Sequence, residues 1–351
     1  MKVYYVLGLY DGCYYVRCLL PMRKIGFSAD KEGLGVNKVD RKTSAVRAIQ
    51  SDIVVFQRPD EEKKYEAALM LKKLGKKIVF ENDDTYRSLD DEMKWGNLLS
   101  YKQKWIEKFL EISDLVITTT PTLKKEYEKF SDNVVICKNC VDPFDWGKPE
   151  HYQNEKFRIG LVGSVLLNND FNSIKKALAK IRDDKEIEIV VFGMPTKSEA
   201  TKLAQKIYQT ELDFWGSLGV DWFPFVPMDK YIETLKEMKV DLMLIPRRDN
   251  YFNRCKSNLK YLEASMLEVP VIAQGFKAGD SPYQKDIKNW RNGVICVEDN
   301  EWLPAIYKLK NNPSLRHKLG SRARKYVLRH YDINNNYKCW LKEFKKLYAK
   351  S

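Results

Sequence analysis

The feature that most constrains this chain is a rhythm that runs twice and breaks once. Short runs rich in Val, Ile and Phe alternate with longer stretches of helical periodicity. Such alternation builds parallel sheets wrapped by helices. In the first pass, strands are expected at 2–7, 52–57, 77–81, 115–119 and 134–137. Helices are expected between them at 14–25, 60–74, 98–112 and 122–130, with Asp60 and Thr122 as plausible N-caps. Residues 139–154 then bring two Pro, a Gly and several polar residues, and read as a domain boundary. The rhythm resumes with strands at 157–163, 188–192, 240–245 and 269–273 and helices at 171–181, 199–208, 230–238 and 257–267. An aromatic, Pro-broken stretch lies at 214–227, and the last ~50 residues read as mostly helical. The expectation is an α/β protein of two similar domains, 1–150 and 151–330, with a cleft between them. Ligands of open sheets bind beyond the carboxyl ends of the strands.

Several signatures are missing. The sequence has no GxxxxGK[ST], no GxSxG, and no third Gly to complete a dinucleotide fingerprint at Gly33-Leu-Gly35. It also has no Asp-x-Asp to clamp a divalent metal on a diphosphate. Adjacent pairs such as Asp83-Asp84 point to opposite sides of an extended chain, so no metal-dependent phosphate site is indicated. His151, His317 and His330 fall in the linker and the C-terminal helices, and read as surface or packing residues. Seven Cys give an odd count, and Cys137 and Cys140 form the one CxxC. Free, buried thiols in a reducing cytoplasm are the expectation, with a redox pair as the alternative. No apolar run approaches the ~18 residues of a membrane-spanning helix, and the N-terminus reads as a first strand without a leader.

The densest constellation lies at 246–263, between a buried-looking strand and a helix with Ser257 as its expected cap. Arg247, Arg248, Arg254 and Lys256 lead onto the helix N-terminus, where free amides and the dipole favour an anion such as a diphosphate. Glu263, two turns further in, is placed to accept hydrogen bonds from ribose hydroxyls. A solvated basic loop with a surface ion pair fits the spacing equally well.

Residues 252–273, FNRCKSNLKYLEASMLEVPVIA, resemble the donor-site signature of the group 1 glycosyltransferases of GT-B fold. The resemblance extends through DGCYYVRCLLP at 11–21, DIVVFQRP at 52–59, KIVFENDD at 77–84, LVITTT at 115–120, KNCVD at 138–142 and IGLVGS at 159–164. It implies an N-terminal acceptor domain, a C-terminal nucleotide-sugar donor domain, and a last helix, 331–351, returning to the first domain. Carried onto this sequence, Lys256, Ser257 and Asn258 would hold the donor phosphates and Glu263 the ribose. Gly163 and Ser164 would lie near the nucleotide, and Gly12 would approach the phosphates from the acceptor domain. Arg254 and Arg248 are further phosphate candidates. Asp11, Arg17, Asp83 and Asp84 are the acceptor-side candidates, with Arg254, Lys256, Asp83 and Asp84 nearest the chemistry.

The departures are specific. Where the family often has a first Glu, eight positions before Glu263, this chain has Cys255, and a thiol cannot replace a carboxylate toward sugar hydroxyls. The usual Arg and Lys after the donor domain's first strand are absent, as is the acceptor-domain His, whose place is taken by Asn82-Asp83-Asp84. The resemblance implies transfer of a sugar from a nucleotide diphosphate to a hydroxyl of a glycan or lipid-linked glycan, without a metal or other cofactor and with retention. A transferase acting on modified bases of DNA and a non-catalytic binder on a decayed scaffold are the rival readings.

The chain carries a net charge of +13. Residues 316–351 hold 11 Lys and Arg against 2 Asp and Glu, so +9 of the excess sits in the terminal helices. The bland reading is a solvated cationic face on a packed helix. The sharper one is docking to an anionic surface, lipid or DNA, by a cytoplasmic protein peripheral to the membrane.

Overall fold

In the computed structural model, residues 1–8, 12–29, 41–85, 87, 102–163, 170–171, 173–193 and 202–349 are described. Two six-stranded sheets, each wholly parallel, follow one another along the chain. The first contains β1 (Val3–Val6), β2 (Ser28–Ala29), β3 (Ile53–Gln57), β4 (Lys77–Glu81), β5 (Leu115–Thr118) and β6 (Val134–Ile136), in the order β2-β1-β3-β4-β5-β6. The second contains β7 (Phe157–Val162), β8 (Ile187–Phe192), β9 (Asp221–Phe223), β10 (Leu242–Ile245), β11 (Val271–Gln274) and β12 (Val294–Cys296), in the order β12-β11-β10-β7-β8-β9. These are two Rossmann-like halves. In each, the strand order reverses beside the half's first strand, and at such a point the loops leave the sheet in opposite directions and open a crevice. The crevice lies between β1 and β3 in one half, and between β7 and β10 in the other.

Sheets covered on both faces need strands that are apolar throughout, and Ile53-Val-Val-Phe is buried at every position. Helix Gln103–Ile112 buries Trp105, Ile106, Phe109 and Leu110, which share one face by their spacing. Phe109 stacks on Phe80 of β4 at 5.8 Å between ring centroids. Three expected features shift. The helix expected at 199–208 runs to Ser217, and the irregular stretch after it contains β9. β9 and β12 are edge strands of three residues each, too short to show a period of two. The helix start expected at Thr122 lies at Pro121, and Thr120 caps it by accepting from the Leu123 amide at 3.3 Å.

The terminal helices return to the first half. Val141 and Asp332 form a parallel bridge. Trp340, Phe344 and Leu347 of helix Lys338–Tyr348 are buried in the core that contains Val3, Tyr5 and Val55. Cys137, at the end of β6, and Cys339 are joined in a disulfide across 202 positions. This corrects the expectation of free thiols for Cys137, whereas Cys140 beside it is free and buried. Sequence spacing does not reveal the pairing, because only the returning helix brings the two together.

The excess positive charge lies on the outer faces of these helices. Lys318, Arg322, Lys325 and Arg329 recur every three or four residues along Pro313–Tyr331, and Lys338, Lys342 and Lys345 do so along the last helix; all seven are exposed. That spacing aligns side chains in a ridge. No helix among the described residues is long and apolar enough to cross a membrane.

Candidate active site

β10 ends at Ile245, and the chain then enters the expected cationic loop. Its first cation turns inward: Arg247 is buried, with Nη1 donating to Asp170 Oδ2 at 2.7 Å and Nε to the Tyr283 hydroxyl at 3.3 Å. Asp170 Oδ1 accepts the Arg248 amide at 3.0 Å and Asn253 Nδ2 at 2.7 Å. One buried carboxylate thus fixes the start and the middle of the loop. Asn250 caps the short helix Tyr251–Cys255 by accepting from the Asn253 amide at 2.8 Å. Arg254 is held by Asp249 at 2.7 Å and lies 3.4 Å from Asp280, so local carboxylates answer its charge.

Lys256 and Ser257 precede helix Leu259–Met266, which starts beyond the end of β10. The expected cap at Ser257 is displaced by one residue to Asn258, and Ser257 Oγ instead accepts from Asn139 Nδ2 at 2.8 Å. Asn258 Nδ2 donates to Asp286 at 2.7 Å, so its side chain anchors the helix start and is not turned to the cleft. Glu263 is buried, and its Oε2 accepts from the Tyr231 hydroxyl and from Lys260 Nζ, each at 2.9 Å. Burial, reinforced by the Glu263 carboxylate, pushes the Tyr231 hydroxyl far up, so it stays a proton donor to that carboxylate. Gly163 closes β7, where its amide bonds Phe192 O at 3.0 Å. Gly193 (φ +84°) packs against its carbonyl, and a Cβ there would sit 3.2 Å from Gly163 O.

The facing rim belongs to the first half and carries carboxylates. β4 ends at Glu81, and Asp83 and Asp84 beyond it do not diverge as alternation predicts. Both converge on Arg58, Asp83 on Nε at 2.9 Å and Asp84 on Nη2 at 2.8 Å. Burial alone would raise the Asp83 carboxyl; Arg58 and Arg17, with Lys256, outweigh it and hold it below the ordinary carboxylate range. Lys256 Nζ meets Asp84 Oδ2 across the cleft at 2.7 Å. Next to this pair, Tyr251 donates to Glu126 and Thr120 donates to the Cys255 carbonyl at 3.0 Å. Cys255 itself is fully buried in the core of the first half, beside Phe80, Leu123 and Tyr127. Burial, with Glu126 nearby, pushes its thiol up to about 12, so the thiol is neutral.

Arg17 requires a correction. It is fully buried, donating to Glu81 Oε1 at 2.8 Å, to Asn139 Oδ1 at 3.0 Å and to the Cys137 carbonyl, with the Trp340 ring 5.2 Å away. It supports the rim from below and cannot touch an acceptor. Gly12 opens the helical stretch 12–25, and a Cβ on it would meet nothing within 4 Å. Asp11 and Ser164 lie outside the described residues. The residues that sequence reasoning missed are Arg58, Asp170, Tyr231, Lys260 and Asn139. Each acts through a partner at least 26 positions away, apart from Lys260 with Glu263, which three-residue helical spacing would have suggested. A cavity of about 630 Å³ opens elsewhere, between Tyr15, the linker and helix Met228–Glu237, and none of the donor-side residues line it.

No family model matches the chain, and no curated protein matches it. Solved structures do resemble it. Sucrose-phosphate synthase from Thermosynechococcus elongatus is 12% identical, with a TM-score of 0.68 over 100% of both chains. Anabaena HepE in complex with UDP and glucose is 12% identical, with a TM-score of 0.69 over 98% of this chain and 99% of that one. A glycosyltransferase from Rickettsia africae is 12% identical, with a TM-score of 0.66 over 100% of this chain and 99% of that one. The chain has the GT-B fold: two Rossmann-like halves facing each other, with the last helix crossing back to the first.

Proposed function

We propose that this protein is a metal-independent, retaining glycosyltransferase of the group 1 type, moving a sugar from a nucleotide diphosphate to a hydroxyl of a glycan or lipid-linked glycan. The observation that carries this reading is Lys256. It stands at the N-terminus of Leu259–Met266 beside the switch point of the second sheet, two turns before the buried, oriented Glu263. A departing nucleoside diphosphate develops negative charge there, and a fixed ammonium with free helix amides stabilises it. Glu263, held by Tyr231 and Lys260, accepts the ribose hydroxyls. In the reading with retention, the leaving phosphate takes the acceptor's proton and no side-chain base is required. Asp83 and Asp84 then orient cations and the acceptor, with Asp84 occupying Lys256 until the phosphates replace it.

The fold shared with HepE, solved with UDP and glucose, favours UDP as the first nucleotide to try. The test is nucleotide release from a panel of UDP-, GDP- and ADP-sugars, with and without chelator. Sustained release in chelator supports the reading; release that needs added metal overturns its metal-independent part.

A second reading, a nucleotide-sugar binder without transfer, is favoured by Cys255, which puts a buried neutral thiol where the resembling family often has a carboxylate. Thermal stabilisation by UDP with neither hydrolysis nor transfer across the panel would establish it. The ridges on the terminal helices dock the protein to an anionic surface that carries the acceptor. Co-sedimentation with anionic but not neutral vesicles, lost in 0.5 M salt (about 4 Å Debye length), is the expected result.

A further inference from the structure

A crevice of about 140 Å³ lies at the opposite end of the second sheet from the donor side, among the residues that lead into β10 and β11. Three metal-ligating side chains from three parts of the chain meet there. His151 comes from the segment joining the halves, Glu268 from the turn before β11, and His317 from the start of Pro313–Tyr331. His151 Nε2 is 3.7 Å from Glu268 Oε2, and the two imidazole centroids are 5.3 Å apart at 54°. One ligand atom from each residue lies within 4.8 Å of the other two.

The backbone fixes two of the three. Glu268 adopts a left-handed conformation (φ +57°) that ends helix Leu259–Met266, with its amide bonded to Ser265 O and the Val269 amide to Ala264 O, both at 3.0 Å. Glycine is the usual residue at such a helix end, so Glu268 stands there against the local preference. Helix Pro313–Tyr331 rests directly on this turn: a Cβ on Gly320 would lie 1.8 Å from the Glu268 carbonyl oxygen. His317, three residues before Gly320, is therefore on the face that meets Glu268. His151 completes the set from an exposed position that leaves the site open to solvent.

We infer that His151, Glu268 and His317 form a binding site for a borderline divalent cation of the zinc type, distinct from the donor cleft. Two imidazoles and one carboxylate suit such an ion, whereas Mg²⁺ and Ca²⁺ take oxygen ligands. Metal–ligand bonds of about 2.0–2.2 Å bring ligand atoms to roughly 3.3 Å from one another, so no pair of the three need close by more than about 1.5 Å. Water fills the remaining positions. The neighbouring guanidiniums are held by other partners: Arg316 donates to Leu309 O at 2.8 Å and to Lys310 O at 2.9 Å, and Arg324, whose charge reaches Glu268, donates to Met266 O and to Gly147 O. A bound ion ties the segment between the halves to the body of the second half.

The test is titration of the tag-free, chelator-treated full chain with Zn²⁺ against a chromophoric chelator. One ion per chain is expected, with affinity falling about tenfold or more in His151→Ala and in His317→Ala and unchanged in Lys256→Ala. Co²⁺ should give a spectrum without a thiolate charge-transfer band. Unaltered melting of metal-free His151→Ala shows that any loss is not misfolding. Equal binding by the wild type and both His variants, a thiolate band, equal competition by Mg²⁺, or no bound ion would each overturn the inference.

Discussion

The two halves share one architecture and present opposite charges to the cleft. At the carboxyl ends of its strands, the second half sets Lys256 and a helix N-terminus; the first half sets Asp83, Asp84 and Glu126. The sheet decides where such groups can stand, and the loops decide what they are. The support beneath each rim differs as well. The start and middle of the second half's loop hang on one buried acid, Asp170, which belongs to its own half. The first half's rim rests on Arg17 and Glu81, and Trp340 of the returning helix reaches Glu81 at 3.4 Å. The start of the second half's loop is therefore held within its own half and its end by the first half, while the first half's rim depends on the chain's last element.

The largest effect expected from breaking this contrast is at Lys256. On the proposed reading Lys256→Ala removes the cation that meets the leaving phosphate, and it should lower kcat by about 10²–10³-fold, the range for one preorganised oxyanion donor. Glu263→Gln should raise KM for the donor more than it lowers kcat, because ribose contacts serve ground and transition states alike. Initial rates of nucleotide release measure both, and near wild-type kinetics in both variants would remove the donor assignment.

Asp170→Ala tests the local support. It leaves the buried Arg247 guanidinium without its carboxylate, a change that costs about 3–5 kcal/mol. Urea unfolding should show that loss, together with weakened nucleotide binding; a loss of stability alone would mean that Asp170 holds the core and not the loop. Cys339→Ser tests the long-range support. Removing the cross-link should cost about 2–4 kcal/mol. Reductant should lower the melting temperature of the wild type and leave that of the variant unchanged. The bond persists only where thiols are not kept reduced, so the same reductant reports the protein's behaviour in a cytoplasm-like milieu.

What the sequence made legible follows the same division. Apolar runs and turn residues placed most strands of both halves, because buried parallel strands leave a continuous apolar signal. The placement of Lys256 just before a helix that carries Glu263 was legible because it depends on spacing within one loop and one helix. Arg17 was misplaced because nothing local distinguishes a buried arginine from one that meets a ligand; only the convergence of Glu81, Asn139 and Trp340 does. The Asp83-Asp84 pair was misread because alternation holds only while the strand lasts, and β4 ends at Glu81. The Cys137–Cys339 bond and the His151–Glu268–His317 group lie beyond any local pattern, since the first joins residues 202 positions apart and the second three residues spread from 151 to 317.

The smallest expected effect separates two chemistries. Asp84 Oδ2 touches both Lys256 and Arg58 at the meeting of the rims, where a base for inversion would also stand. A general base contributes about 10²–10⁴-fold, so if Asp84 took the acceptor's proton, Asp84→Asn would lose at least that lower bound in kcat. If the leaving phosphate takes the proton, Asp84 does no more than hold the two cations in reserve. Asp84→Asn then frees Lys256 for the diphosphate, tightens UDP binding by a few-fold and lowers kcat by less than about tenfold. Asp83→Asn serves as the companion, because Arg58 holds it ionised and nothing from the second half pairs with it among the described residues. A hundred-fold loss in either variant, with unchanged nucleotide affinity, would assign that carboxylate as the base and turn the reading from retention to inversion. The anomeric configuration of the product, read by NMR on the first transfer, must then agree.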